Sequence, residues 1–407
     1  MTRPPTNSKS SPTRREVLRR AAALALTGLF TPLTGCRTGT GGAGLDAVPD
    51  APGMPTGTTP GITAEATTLP NEGGLLDLQH LPDALPLPDL SDRQILRRVA
   101  GIRPYRQDSY RLECERINGR WVAHNYGHGG SGYTLSWGAA ELCADQLEAA
   151  AGPGRGRAVA VLGGGVVGLS TARVLRERGW DVTVYAQHFA TETTSNWAGA
   201  QFAPSGVAFS SRAEMQDMLR RSAVRFEKLA DRFVGVSRKI NFTTPRGGGA
   251  LHQLPGDLLP YRTLDRLPFP GVTQAGRAHS TFLIEPPIYL PWLLGDVNQA
   301  GVKTVNRTFG HRDELARLPD SAVVNCLGLG AGALFNDTAM QPIRGQLVHL
   351  RPQNLPYMMS HGGYLFPRSD VLVLGGSYER GETEPIADAA TCHRILQRHR
   401  RFFGVGA

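Results

Sequence analysis

Two glycine-rich stretches hold most of the residues in this 407-residue chain that could do chemistry. One is Gly163-Gly164-Gly165-Val166-Val167-Gly168. It follows the apolar, β-leaning run Ala158-Val159-Ala160-Val161-Leu162 and precedes Leu169 to Arg178, whose apolar stripe predicts a helix stopped by Gly179. Val182-Thr183-Val184-Tyr185 predicts a second strand. Strand, G-x-G-x-x-G, helix, strand is the setting in which this motif holds a dinucleotide. Gly163 and Gly165 let the backbone turn and approach a pyrophosphate, and Gly168 lets helix and strand pack closely. The free N–H groups of the helix start then face the phosphates. A carboxylate is expected about 20 residues further on, to hold a ribose. Ala186-Gln187-His188 stands there instead, so the motif alone does not choose between FAD and NAD.

The other stretch is His124-Asn125-Tyr126-Gly127-His128-Gly129-Gly130-Ser131-Gly132-Tyr133-Thr134. Its histidines are spaced i, i+4, which on a helix would suit a metal. The four glycines argue against a helix here, and no metal is expected. His128-Gly129-Gly130 is also like an esterase oxyanion loop, but no G-x-S-x-G occurs in the chain. Upstream, Arg103 lies in Gly101-Ile102-Arg103-Pro104-Tyr105-Arg106. A planar guanidinium can clamp a carboxylate with two parallel hydrogen bonds.

The elements that must position these groups need a core. Apolar residues make up 41% of the chain and charged residues 19%, which excludes a disordered or fibrous protein. The net charge is +9, but residues 1–35 hold six basic residues and one acidic one. The rest carries 38 basic and 34 acidic residues without clustering, so no nucleic-acid footprint is expected. Arg14-Arg15-Glu16-Val17-Leu18-Arg19 resembles a twin-arginine export motif, and Ala21 to Gly35 is uncharged. That stretch is short of the roughly 20 apolar residues a membrane span needs but suits a signal segment. Leu33-Thr34-Gly35-Cys36 is similar to a lipobox, which would make Cys36 a lipid-anchored first residue. Localisation is therefore expected to be exported, periplasmic or cell-surface, with membrane contact only through Cys36. Gly, Thr and Pro fill 22 of the 38 positions of residues 37–74, which predicts a flexible tether. Leu75 to Leu90 is richer in Leu and Pro and is expected against the body. The cysteines, Cys36, Cys114, Cys143, Cys326 and Cys392, form no C-x-x-C pair, so a structural zinc has no support.

Several segments together resemble the D-amino-acid oxidase family. They are Tyr185 to Phe189 and Thr193 to Ala200; Thr281 to Trp292; Ala322 to Gly328 with Gly330 to Leu334; Arg344-Gly345-Gln346; and Tyr364 to Arg368 with Leu374-Gly375-Gly376. The family's G-x-R-P-x-R and "HNYGHGGxGxT" segments normally come last. Here they are the Arg103 and His124 to Thr134 segments and come first, so the chain resembles a circular permutant. The helix expected after them runs from Leu135 to Ala150. The implied fold is α/β: a Rossmann-type FAD-binding domain and a substrate domain on an antiparallel-rich sheet. The parts would be residues 1–35 signal, 36–90 tether, 91–150 permuted FAD-binding segment, 157–205 Rossmann segment, 206–284 substrate domain, 285–341 FAD domain again and 342–407 substrate domain again.

The resemblance implies FAD as cofactor. Its contacts would be Gly163, Gly165, Val166, Val167, Gly168, Gln187, His188, Thr194, Ser195, Ala198, Gly199, Ala200, Phe309, Leu327 and the run Gly129, Gly130, Ser131, Gly132, Tyr133 and Thr134. It also implies that Arg103 and Tyr364 hold a substrate carboxylate and that the Gly130 carbonyl accepts the amine. The implied reaction is oxidative deamination of D-amino acids by hydride transfer to flavin N5. Keto acid and ammonia are the products, and oxygen gives hydrogen peroxide unless another acceptor serves. Ser360 replaces the family's second pocket tyrosine, with His361, Gly362 and Gly363 next, so the lid is altered. A glycine or secondary-amine oxidase or dehydrogenase remains an alternative, as does a non-catalytic flavin-binding lipoprotein. A soluble NAD-dependent dehydrogenase fits less well, because the His124 to Thr134 segment does not suit one.

Overall fold

In this computed structural model the structure describes residues 76–406, apart from residues 155, 250, 252, 253, 255 and 256. The export and lipobox motifs and most of the tether lie outside the described residues. In chain order come β1 (Ile95–Arg106), β2 (Arg111–Ile117), β3 (Arg120–Tyr126), helix α1 (Gly132–Ala151) and β4 (Ala158–Gly164). Next are α2 (Val166–Glu177), β5 (Asp181–Phe189), α3 (Arg212–Ala230), β6 (Val236–Thr243), β7 (Tyr261–Leu264) and β8 (Gly276–Ile284). Then follow α4 (Pro286–Gln299), β9 (Lys303–Asn306), β10 (Ala322–Asn325), α5 (Gly330–Phe335) and β11 (Met340–Leu350). The chain closes with β12 (Tyr357–Ser360), β13 (Tyr364–Pro367), β14 (Leu372–Gly375), β15 (Glu379–Arg380) and α6 (Ala389–Phe403).

The first sheet runs β2-β3-β10-β4-β5-β9 and is parallel except for the edge strand β2. Both faces of β4 are covered, which explains its unbroken apolar run. Val159 and Val161 pack under α1 and α2, while Ala160 and Leu162 pack with Leu334 and Phe335 of α5. Both helices start three residues earlier than the sequence suggests, at Gly132 and at Val166. Glycine lowers helix propensity, which hid these first turns.

The second sheet runs β1-β11-β14-β13-β12-β6-β8-β7, with β15 beside β11. It is antiparallel except where β12 meets β6. Its two faces differ. Ile240, Phe242, Tyr357, Met359, Leu365 and Leu374 pack on Cys392, Ile395, Leu396 and Phe403 of α6. Those helix positions recur at helical spacing, and Asp388 caps the helix by accepting the Thr391 N–H at 2.7 Å. The opposite face carries Val99, Leu347, Met358, Phe366 and Val373, with Tyr364 packed against them.

One expectation holds and one boundary differs. Residues 76–90 lie against the body, as their Leu and Pro content suggests, although the expected tether runs to residue 90: Leu85 and Leu90 are buried against the second sheet, and the Tyr357 hydroxyl donates to the Pro86 carbonyl at 2.7 Å. Leucines at these positions bury enough apolar area to offset the cost of ordering the chain. Residues 91–150 do not belong to one domain. β1 pairs antiparallel with β11 in the second sheet, whereas β2, β3 and α1 join the first. Asp337, after α5, joins the two parts by accepting from Arg106 at 2.8 Å and from Tyr126 at 2.7 Å.

Candidate active site

The dinucleotide side is built from helix starts. The first turns of α1 and α2 contain no acidic residue, and neither N-cap side chain caps its helix. A methyl group on Gly132 would lie 3.9 Å from a Val166 methyl and 4.0 Å from one of Val167, so the two starts are neighbours. The N–H groups and dipoles of two neighbouring helix starts favour an anion there. Gly168 makes the arrangement possible, because a Cβ there would overlap the Gly163 carbonyl oxygen. Thr194 and Ser195 close the side. The Ser195 hydroxyl accepts the Val166 N–H at 3.3 Å, the Tyr133 hydroxyl donates to the Ser195 carbonyl at 3.1 Å, and Thr194 donates to the Ile102 carbonyl at 2.9 Å. Gly165 comes to the same place, with Ser195 Oγ 3.1 Å from where its Cβ would be.

At the far end, the pairing of β4 with β5 steps from Leu162↔Tyr185 to Gly164↔Phe189. This pushes Ala186, Gln187 and His188 out of the ladder, with Gln187 and His188 exposed. Phe309 stands edge-on to Tyr185 at 6.0 Å and shares a cluster with Leu327. Two adjacent helix starts, the close glycine approach and an exposed strand end fit the diphosphate and adenosine of FAD. Gln187 offers a neutral amide where a carboxylate was expected.

Gly129 to Thr134 runs between the dinucleotide side and the second sheet. Ser131 Oγ donates to the Ser205 carbonyl at 2.9 Å, Thr134 Oγ1 donates to Ala203 at 2.9 Å, and the Gly130 N–H donates to Gly206 at 3.1 Å. This ties the segment to residues 201–206. His124 and His128 do not converge. His124 Nε2 meets Glu115 at 2.9 Å and its Nδ1 meets Asn325 at 3.2 Å, while the His128 ring stacks on Tyr110 at 5.6 Å. Burial pushes both rings down to about 4. Among the described residues no His, Cys, Asp or Glu cluster is gathered for a metal ion, and Cys114, Cys143, Cys326 and Cys392 are free thiols.

The substrate side is built from side chains. Arg103 on β1 points from the face that carries Tyr364 on β13. Its Nη1 donates to the Ser377 carbonyl at 3.2 Å and its guanidinium lies 5.7 Å from the Tyr378 ring centre. It has no carboxylate partner among the described residues. Gly345 on β11 clears the space it needs: a Cβ there would overlap the guanidinium. Neither Ser377 nor Gly345 carries a local signal of this role. The Tyr364 ring stacks on Phe366 at 4.5 Å and is edged by Gly375 and by Gly199, whose Cβ would lie 2.6 Å from the ring. Ala198 and Ala200 flank Gly199, and the Ala200 carbonyl accepts the Ile284 N–H at 3.1 Å. Burial raises the Tyr364 hydroxyl above its usual value, and the adjacent Arg103 charge opposes that.

The altered lid is a short pinned turn between β12 and β13. His361 Nε2 meets His399 Nδ1 of α6 at 2.8 Å, the His361 ring stacks on Phe402 at 4.1 Å, and Arg398 donates to the Gly362 carbonyl at 2.7 Å. The sequence reading missed His399, because the helix that carries it is distant in the chain.

Fold and site together define an FAD-dependent oxidoreductase. The chain belongs to the DAO family of FAD-dependent oxidoreductases, whose family model matches residues 158–406. FAD is its cofactor. D-aspartate oxidase of Homo sapiens is 27% identical over 255 residues, covering 59% of this chain and 74% of that protein. D-amino-acid oxidase of Streptomyces coelicolor is 32% identical over 248 residues, covering 57% and 74%. D-amino-acid oxidase of Rubrobacter xylanophilus is 32% identical over 262 residues, covering 60% and 77%. Among solved structures, glycine oxidase from Geobacillus kaustophilus is 19% identical with a TM-score of 0.46, covering 60% of this chain and 78% of that one.

Proposed function

We propose that this chain oxidises D-amino acids to imino acids, which water hydrolyses to keto acids and ammonia. One observation carries the reading: Arg103, half-buried and without a carboxylate partner among the described residues, stands beside the Tyr364 hydroxyl in space cleared by Gly345. A cation in that position recruits a carboxylate. The named activities of the curated relatives supply the amino-acid class. Arg103 would pair with the α-carboxylate and Tyr364 would donate a hydrogen bond to it. The Gly130 carbonyl would accept from the substrate amine, fixing the α-hydrogen in one direction. FAD, when bound, supplies the two-electron acceptor. Oxygen or another acceptor then takes the electrons. The chain contributes positioning and charge complementarity, and no side-chain base is required beyond loss of the ammonium proton.

The order of segments is part of the reading. We read the chain as a circular permutant, with residues 91–150 moved ahead of β4. The matched span begins only at residue 158, and the curated relatives are covered over about three quarters of their length. The ends also meet in space. Arg400 near the end of α6 donates to the Leu90 carbonyl at 2.9 Å and 2.7 Å and pairs with Asp92 at 2.7 Å. Direct continuation from α6 into β1 would therefore be short. Residues 1–35 would serve as a twin-arginine lipoprotein signal ahead of Cys36. A Cys36→Ser chain should then move from the membrane fraction to the aqueous one, and unchanged membrane retention would refute the anchor.

The activity is tested anaerobically. D-amino acids added to the FAD-loaded protein should bleach the flavin absorbance band, while L-isomers should not. A band that no D-amino acid bleaches would overturn the assignment.

A further inference from the structure

On the Tyr364 side of the second sheet lies a polar group that the reaction does not use. Ile240 and Phe242 of β6 face α6, so Asn241 between them faces the opposite way. Asn241 is 0% exposed. Its Nδ2 donates to Gln201 Oε1 at 2.6 Å and to Ser360 Oγ at 3.1 Å. Its Oδ1 has no partner. Both neighbours belong to the site. Ser360 is the direct register partner of Tyr364 across β12 and β13. Gln201 follows Gly199, which abuts the Tyr364 ring, by two residues.

A buried acceptor without a donor is destabilising, so a ligand that donates to it is favoured. Two amides bonded to each other leave a fixed remainder. As placed, Asn241 spends both N–H groups and keeps its Oδ1, while Gln201 spends its Oε1 and keeps its N–H groups; turning both amides exchanges the free acceptor between the two residues and still leaves donors and one C=O. A ligand group that satisfies both must donate and accept side by side. A carboxamide does so. A carboxylate has no hydrogen to donate, and a hydrocarbon has neither function.

We propose that Gln201, Asn241 and Ser360 form the pocket for the substrate side chain and select a short carboxamide. The preferred substrates would then be D-asparagine and D-glutamine, ahead of aliphatic and acidic D-amino acids. The proposal rests on the amino-acid reading above for the placement of the α-carboxylate on Arg103. Its selectivity comes from the unpaired groups left behind when an apolar side chain enters.

Two ligands without an amine test the pocket apart from turnover. Succinamate carries the carboxylate and a terminal carboxamide; isocaproate has the same branching in hydrocarbon. Each is titrated into the FAD-loaded full chain, and binding is read from the shift of the flavin absorbance band. Succinamate should bind about tenfold tighter or better. Asn241→Leu and Gln201→Leu should each bring the ratio close to one. Equal binding in the unaltered protein, a preference for isocaproate, no response to either ligand, or a preference that survives both substitutions would overturn the pocket. Should Asn241→Leu fail to fold, the unaltered protein and Gln201→Leu still decide. Succinamate preference with no bleaching by D-asparagine would uphold the pocket and sink the oxidation reading.

Discussion

The two sheets meet the site by different means. On the first sheet the binding groups are main-chain N–H groups at the starts of α1 and α2, and the side chains that matter are those left out. On the second sheet the groups are side chains: Arg103 from β1, Tyr364 from β13 and Asn241 from β6. The first arrangement suits the charge shared by every dinucleotide. The second would suit a particular small molecule. A backbone site needs only a local turn with room around it. A side-chain site needs several strands to agree in register, as Gly101↔Gly345 and Ser360↔Tyr364 do here.

That contrast can be broken at either end. The largest effect is expected at Arg103. Arg103→Ala should leave FAD content unchanged while kcat/KM for the best amino acid falls about 10³-fold, roughly 4 kcal/mol of transition-state stabilisation. Stopped-flow flavin reduction measures it, and unaltered kinetics would remove the carboxylate clamp.

The first sheet should respond in the opposite pattern. Gly168→Ala drives a methyl group into the Gly163 carbonyl. The helix start must shift, costing about 1–3 kcal/mol. FAD should dissociate more readily, by about tenfold or more, while the FAD-loaded fraction keeps its substrate preference. Fluorescence of released flavin tests this, and a change in preference without loss of FAD would contradict the division between the sheets.

The smallest effect sharpens the permutation. A chain in which residues 91–150 follow residue 406, with residues 90 and 158 bridged by a short linker, should bind FAD and keep its kcat within about threefold. Soluble, folded protein that takes up no FAD would argue that the present order is required.

How far the residues could be read follows the same line. The G-x-G-x-x-G motif, its strands and helix and the Arg103 segment were legible because each is contiguous and carries its own spacing. Helix starts were misplaced, since the glycines at 132 and 165 that hid them are there for close approach and weaken the helical pattern. The single block 91–150 was wrong because β1 and β2 are separated by a short turn yet pair in different sheets. Gln201 and Asn241 had no local signal at all.

By itself the sequence determined the dinucleotide unit and pointed to the candidate carboxylate clamp and the proposed reordering of the segments. Those depend on backbone conformation and on the types of neighbouring residues. Only the tertiary structure decided that Arg103 has no carboxylate partner among the described residues, that Gly345 makes its room and that Asn241, its Oδ1 without a donor, lies on the Tyr364 side of the second sheet. Each of these is a fact of burial and register across strands distant in the chain, and no local pattern of residues encodes the free energy of an unpaired group.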